Sequence, residues 1–472
     1  MKITFINHAS YFLESPAATL LCDPWVAGKA INNCWALCSP SPPVPYDRVD
    51  YLWISHEHPD HFHVPTLRAI PELERKRIIV LYQKHASPRM LHAFQELGFA
   101  KVQELPLYRW VSIRPGFDVL CGSVGIMDSF LALRTEKECI LNLNDCFCNE
   151  FQIRYIRGLV GRLSLLFTQF SFANWIGNGA DDANEIPQKL RDLTFQLRTF
   201  RSEFTVPFAS FSYFCNQENA WMNELMITPA KIAAIDLPGV HFMYPGDQWN
   251  SESRTFRSAE AVENFGRDLQ RLTIDPDPPR VEEEKIVQAC CKLLATLDRR
   301  FGAAILRWIE PFEIHIRDLN RILSVHPAKS HCAAREATPE SAAKARYVMC
   351  SQVAWYTFAH SWGWNMLEAS GMYLDRQYKT KGENKRLRRC LNALSTEIID
   401  LRGEGRLLRS LEFFWRKKVE IFLYFWGHTS SNHDLASAFP LPSNGVTFQD
   451  QADASELSAK SPGELLRRPA RR

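Results

Sequence analysis

No apolar run in the 472 residues approaches the ~18 that a membrane-spanning helix requires, so an integral membrane segment is not expected. Paired Cys-x-x-Cys sets are missing as well. The thirteen cysteines are scattered, which argues against a zinc ribbon or a disulfide framework and predicts reduced, mostly buried thiols. Nor does Met1-Lys2-Ile3-Thr4-Phe5 offer the charged start, apolar stretch and cleavage site of a secretory leader, and the expected location is cytoplasmic. Charge of one sign is scarce. A net charge of +3 over this length, with no basic stretch interleaved with aromatics, speaks against a nucleic-acid partner. The four arginines of Arg467-Arg468-Pro469-Ala470-Arg471-Arg472 read as a solvated tail.

What is present, 46% hydrophobic against 23% charged residues, supplies apolar material for two or three domains and excludes a mainly disordered chain. From Ile3 to about Trp249 short apolar runs alternate with turns. Lys2 to Leu13 reads as a hairpin, and Thr19–Cys22, Tyr51–Ile54, Ile78–Tyr82, Asp118–Val124, Phe130–Arg134, Cys139–Leu143 and Phe208–Phe214 as further strands. Thr66–Glu74, Ser87–Leu97 and Pro187–Phe204 carry helical periodicity. Paired strands first, and strands interleaved with helices later, predict a mixed α/β (α+β) architecture.

The linker Asp275-Pro276-Asp277-Pro278-Pro279 marks a change of texture. We expect a first domain over residues 1–255, a smaller α+β and helical domain over 256–430, and a disordered tail over 431–472. In the second unit Val281–Phe301 reads as a helix, Phe312–Ile316 and Tyr347–Tyr356 as strands, Ser330–Glu340 as a loop and Lys385–Trp426 as helices. The aromatic stretch from Phe413 to Trp426, broken by Arg416-Lys417-Lys418, is read as a helix packed on its own domain rather than lying on a membrane surface.

The densest chemistry lies in Ile54-Ser55-His56-Glu57-His58-Pro59-Asp60-His61, directly after an apolar strand. Divalent first-row metals take imidazole and carboxylate ligands at roughly 2.0–2.2 Å, and few other purposes crowd such side chains together. His56 and His58, two apart, share one face of an extended segment; Asp60 and His61 point elsewhere and suit a second ion. Asp60, if not itself a ligand, is the catalytic candidate to steer a water or accept its proton. The competing reading is a solvated turn opening the helix after Pro65, but the buried strand before it gives the loop a rigid support fit for ligands.

Two further carboxylates follow apolar strands. Asp23, in Leu20-Leu21-Cys22-Asp23-Pro24-Trp25, must be paired if buried, and orienting a ligand histidine through its second nitrogen would provide the pairing. Asp145, in Ile140-Leu141-Asn142-Leu143-Asn144-Asp145-Cys146, could bridge two ions ~3.5–4 Å apart. An Asp-Pro turn and an Asn-Asp turn are the respective alternatives.

The pattern His56-x-His58-x-Asp60-His61 resembles the signature of the metallo-β-lactamase fold, which implies an αββα sandwich with metals at the edges of its two sheets. Asp23-Pro24-Trp25, Trp35, Tyr51 to Leu67, Met127-Asp128-Ser129, Asp145-Cys146, Tyr244-Pro245-Gly246 and, more faintly, Trp362 to Leu367 resemble one branch of it. That branch is the catalytic region of CMP-N-acetylneuraminic acid hydroxylase. The similarity runs over roughly residues 1–375, is strong near the histidines and weak after 250. It implies a sugar-nucleotide substrate and electrons supplied through a Rieske [2Fe–2S] cluster. Such a cluster needs two cysteines and two histidines, and the sequence has no Cys-x-His, so no Rieske cluster is expected in this chain and a separate protein would supply the electrons.

By the same resemblance, a complete two-zinc site needs one more histidine shortly before the bridging aspartate and another near the end of the sandwich. Between Gly116 and Asp145 there is none; Val124-Gly125-Ile126-Met127-Asp128-Ser129 stands there instead. His241 is the best late candidate and Glu218 another, while His8 and His63 lie near the site, His8 as a supporting residue. Fewer histidines and more carboxylates would shift preference from zinc towards iron or manganese.

The expected cofactor is therefore one or two divalent ions, and the expected partner a small-molecule substrate. The leading expectation is a metal-dependent hydrolase in which bound metal lowers the pKa of a water. The alternative is a hydroxylase component acting on a sugar or sugar nucleotide, and a further alternative is a degenerate, non-catalytic binding module.

Overall fold

A computed structural model describes residues 1–377, except 84–87, 126, 173, 179–184, 277 and 361, together with Leu411, Trp415, Lys418 and Phe422. Apart from those last four, the helices expected over Lys385–Trp426 and the tail over 431–472 lie outside the described residues. Among the described residues no helix is long and apolar enough to cross a membrane.

Two sheets face one another. The first has seven strands in the order Gln248–Asn250, Lys2–Asn7, Ser10–Glu14, Thr19–Cys22, Tyr51–Ile54, Ile79–Gln83 and Lys101–Leu105. The second has six, in the order Phe204–Phe208, Leu165–Gln169, Cys139–Asn144, Asp128–Arg134, Phe117–Val124 and Arg109–Arg114. Strand alternation decides what each side chain meets. Tyr51 and Trp53 turn inward to a core shared with Phe117, Leu131, Ile140 and Phe167 of the second sheet, whereas Leu52 and Ile54 turn outward onto Leu67, Met90 and Phe94 of flanking helices. On the other side Leu120, Ala132 and Leu141 meet Ile153, Ile156 and Val160 of the helix Glu150–Val160. Helix, sheet, sheet, helix is thus the layer order. Because both faces of the central strands are buried, their sequences read as near-continuous apolar runs.

A smaller three-stranded sheet, Ser212–Phe214, Trp35–Leu37 and Lys29–Ala30, flanks the sandwich. Its Trp35 and Phe214, with Trp25, share one core with Ile286, Cys290 and Leu294 of the helix Glu283–Phe301 and with Ile314 and Leu323 of a five-stranded sheet. That sheet runs His331–Glu336, Arg321–His326, Phe312–Ile316, Tyr347–Met349, Leu374–Asp375. Of the later residues, Ala261 and Phe265 of the helix Ser258–Leu269 join the sandwich core instead.

Several local expectations are corrected. Phe208–Phe214 is two strands, parted at Ala209, whose φ of 46° ends the first and sends the second into a different sheet. The strand expected over Tyr347–Tyr356 stops at Met349, and Ser351–Ala359 is a helix. Asp318 accounts for the switch: it accepts from the Ser351 N–H at 2.7 Å and the Ser351 hydroxyl at 2.6 Å, satisfying the start of the helix. Ser330–Glu340 is no open loop, because His331–Glu336 pairs antiparallel with Arg321–His326 as an edge strand. Its exposed charged residues kept it from reading as one. The twelve described cysteines are free and ten are buried.

Candidate metal centre

At the end of the sandwich where Thr19–Cys22 and Tyr51–Ile54 finish, the chain leaves each strand towards the second sheet. Asp23, at φ 35°, and Asn144, at φ 56°, both hold left-handed backbone conformations, as does His8, at φ 38°, in the turn between the first two strands. Such conformations cost of order 1–3 kcal/mol each in a residue other than glycine, and they persist where surrounding structure fixes them. All three side chains are fully buried.

Asp23 is the hub. Its Oδ1 accepts from the Ser55 N–H at 2.8 Å; its Oδ2 takes the Ser55 hydroxyl at 2.6 Å, the Asn144 amide at 2.6 Å and His61 Nδ1 at 3.0 Å. The carboxylate therefore ties the histidine loop to the second sheet and fixes the His61 ring with Nε2 pointing inward. Ser55 Oγ also lies 2.9 Å from His56 Nδ1, leaving His56 Nε2 for the pocket.

Three overlapping groups of potential ligands result, each with its donor atoms within 4.8 Å of one another: His56, His58 and Asp128; His56, His61 and Asp145; His8, Asp60 and His61. Asp145 Oδ2 stands between the halves, 3.7 Å from His56 Nε2 and 3.4 Å from His61 Nε2. Asp60 Oδ2 lies 3.3 Å from both His61 Nε2 and His8 Nε2. Asp128 Oδ1 lies 3.9 Å from His56 Nε2.

The donor set fits a cation. His58 Nε2 and Asp145 Oδ1 are buried with no hydrogen-bond partner, a costly arrangement unless something else satisfies them. Burial holds the His56 and His58 imidazoles below their usual range, in the neutral form that ligates. Burial also disfavours charge on Asp145, but the His61 and His56 rings outweigh it and keep the carboxyl well below the usual range. Asp60 is likewise held low, with His61 and His8 overcoming its burial. For His61, burial is overcome by Asp145 and Asp60, which raise it well above the ordinary imidazole range.

Of the residues singled out in the sequence, His56, His58, Asp60, His61 and Asp145 come together, with Asp23 and His8 against them. His241 and Glu218 do not join them. The His241 ring stacks on Phe256 at 4.6 Å, and Glu218 pairs with Arg317 at 2.8 Å. His63 caps the helix Val64–Ala69, with Nδ1 2.8 Å from Thr66 Oγ1. Asp128 is the candidate ligand that motif reading did not single out. It opens the strand Asp128–Arg134 across the pocket, at the place where a histidine was expected and not found. The turn Met127-Asp128-Ser129 was visible in the sequence, but its reach to His56 depends on the second sheet's register.

Residues 2–114 match the β-lactamase superfamily domain. A putative Rieske 2Fe-2S iron-sulfur protein of Mycolicibacterium smegmatis is 29% identical over 189 residues, 37% of this chain and 35% of that protein. The cytidine monophosphate-N-acetylneuraminic acid hydroxylase of Danio rerio is 28% identical over 155 residues, 31% of this chain and 26% of that protein. The matched region is between a quarter and about a third of the length of these curated relatives. Among solved structures, the isothiocyanate hydrolase from Delia radicum gut bacteria aligns over 53% of this chain and 99% of its own, at 15% identity and a TM-score of 0.40. The helix–sheet–sheet–helix sandwich is metallo-β-lactamase-like, the superfamily match falls mainly on its first sheet, and the proteins it resembles include a hydroxylase and a Rieske-named protein.

Proposed function

We propose that this chain is the metal-bearing component of an oxygen-dependent hydroxylase acting on a sugar nucleotide, with iron held by His56, His58, Asp128, Asp145, His61 and Asp60. One observation carries the reading: Asp128 completes a group of two imidazoles and one carboxylate with His56 and His58. That donor set suits non-haem iron better than the histidine-rich set of a two-zinc hydrolase. When bound, iron would supply dioxygen activation, one oxygen atom going into a C–H bond of substrate and the other leaving as water, with two electrons drawn from a separate donor protein and two protons from solvent.

The chain's own residues prepare the pocket. Asp23 locks the His61 tautomer and joins the two sheets through Asn144. His56 and His61 are wholly buried, while Asp128 and Asp145 on the second sheet keep part of their side chains exposed, so the pocket is open on the carboxylate side. Asp60, with Oδ2 3.3 Å from both His8 Nε2 and His61 Nε2, orients the two rings. In the same reading the part of the chain from the helix Glu283–Phe301 to the strand Leu374–Asp375 shapes the substrate entrance.

A metal-dependent hydrolase is the second reading, favoured by that same buried Asp60 carboxylate, which could accept a proton from a water. The binding-module alternative rested on missing histidines, and His8 and Asp128 offer donors in their stead. Oxygen uptake separates the two enzymes. Iron-loaded protein given a chemical reductant and a nucleotide sugar should consume dioxygen with substrate dependence; ester or amide cleavage by zinc-loaded protein, without oxygen uptake, would replace hydroxylation with hydrolysis.

A further inference from the structure

In the strand Ile79–Gln83, Val80 and Tyr82 pack outward with Met90 and Phe94 of the helix Arg89–Glu96, whereas Leu81 belongs to the core between the sheets. Gln83, two residues on, faces the same way as Leu81 and is wholly buried at the strand's end. A primary amide in that position needs partners. It finds two carbonyl oxygens: Nε2 donates to Met127 C=O at the turn of the second sheet, and to Ser55 C=O on the histidine loop at 3.4 Å. Both partners can only accept, so the amide has one orientation. The hydroxyl of Ser129, also wholly buried, donates to that same Ser55 carbonyl.

Met127 and Ser129 are the neighbours of Asp128 in the chain, and Ser55 is the neighbour of His56. The residues on either side of one carboxylate are thus tied to the peptide that precedes one imidazole. Ser55 is held from every side, because its N–H and hydroxyl are both given to Asp23. Asp128 has less support of its own. It stands at the open end of a hairpin, paired with Val124 and followed by Ser123 opposite Ser129, and the turn passes through Gly125 at φ 60°. Its distance from His56 therefore depends on the contacts that Gln83 and Ser129 make across the sheets.

We propose that Gln83, assisted by Ser129, is a positioning residue of the metal centre: it sets the separation between His56 and Asp128, 3.9 Å from Nε2 to Oδ1, and so decides whether the second sheet supplies a ligand to the ion held by His56 and His58. Ligands work only when held within about 0.5 Å of their productive places, and two hydrogen-bonded carbonyls give that precision where a hairpin end does not. Of the three overlapping ligand groups, only the one containing Asp128 draws on this turn. The inference rests on the metal centre read above and is independent of the reaction performed there.

Titration of the full chain with cobalt(II), followed by visible absorption, reads affinity and ligand geometry without turnover. Gln83→Leu fills the space and donates nothing; it should keep the wild-type circular dichroism, weaken cobalt binding about 10- to 100-fold and shift the visible bands. Ser129→Ala, lacking one hydroxyl, should move both readouts the same way by less. Because Gln83 acts through Asp128, adding Gln83→Leu to Asp128→Ala should weaken binding little further, whereas a general packing defect would add in full. Wild-type affinity and bands in Gln83→Leu, or full additivity with Asp128→Ala, would overturn the assignment. Should Gln83→Leu fail to fold, Ser129→Ala decides, and unaltered affinity and bands there overturn it. A wild-type chain that binds no cobalt would remove the metal centre itself, an outcome distinct from the loss of Gln83's role alone.

Discussion

The two sheets bring opposite chemistry to the end they share. The first contributes His8, His56, His58 and His61, with Asp60; the second contributes Asp128 and Asp145, with Asn144 as the strut between them. On the first sheet all the donors but His8 are packed into one loop, so their purpose can be read from spacing. On the second they stand on separate strands, and only the register that carries Asp128 and Asn144 to one edge makes them neighbours. Imidazoles alone would favour zinc, and the carboxylate side of the pocket is what shifts the preference.

Removing the imidazole side should have the largest effect. The His56→Ala/His58→Ala double variant should lose bound metal altogether while circular dichroism remains that of the folded chain; full metal content would refute the ligand assignment. On the carboxylate side, Asp145→Asn should lose one ion of a pair, read as a halved stoichiometry in elemental analysis, and an unchanged stoichiometry would refute bridging. The link between the sheets comes next. Asp23→Ala leaves Ser55, Asn144 and His61 without their shared acceptor, so metal affinity should fall about 10- to 100-fold and stability by about 3 kcal/mol, measured by denaturant unfolding. Smaller still, Asp128→His should turn the second sheet's contribution into that of a zinc site and reverse the preference between iron and zinc in competition binding. A variant that keeps its iron preference would show that Asp128 does not govern metal choice. Finally, His241→Ala and Glu218→Ala should leave metal content unaltered, since neither side chain reaches the pocket.

The same contrast explains what the sequence disclosed. Tyr51–Ile54 and the histidine loop were legible because a buried strand and its ligands are contiguous. Asp23 and Asp145 were legible because each follows an apolar run that a charged residue should not end without a partner. Asp128 was not, because nothing local marks a turn residue as a ligand. His241 misled for the converse reason: beside a strand it looks like a ligand, but Phe204 and Phe256 enclose its ring. In the later part of the chain the helix Ser351–Ala359 was hidden by its apolar, strand-like composition, and its start is specified by Asp318, thirty-three residues away. Long-range satisfaction of backbone groups of this kind leaves no trace in a short window.

The central claim is a transition-metal centre shared between both sheets, and elemental analysis of protein purified without added metal tests it most directly. The account predicts about one or two iron ions per chain. Stoichiometric zinc with no iron would contradict the hydroxylase assignment, and absence of any transition metal that persists after anaerobic incubation with ferrous iron would contradict the centre itself.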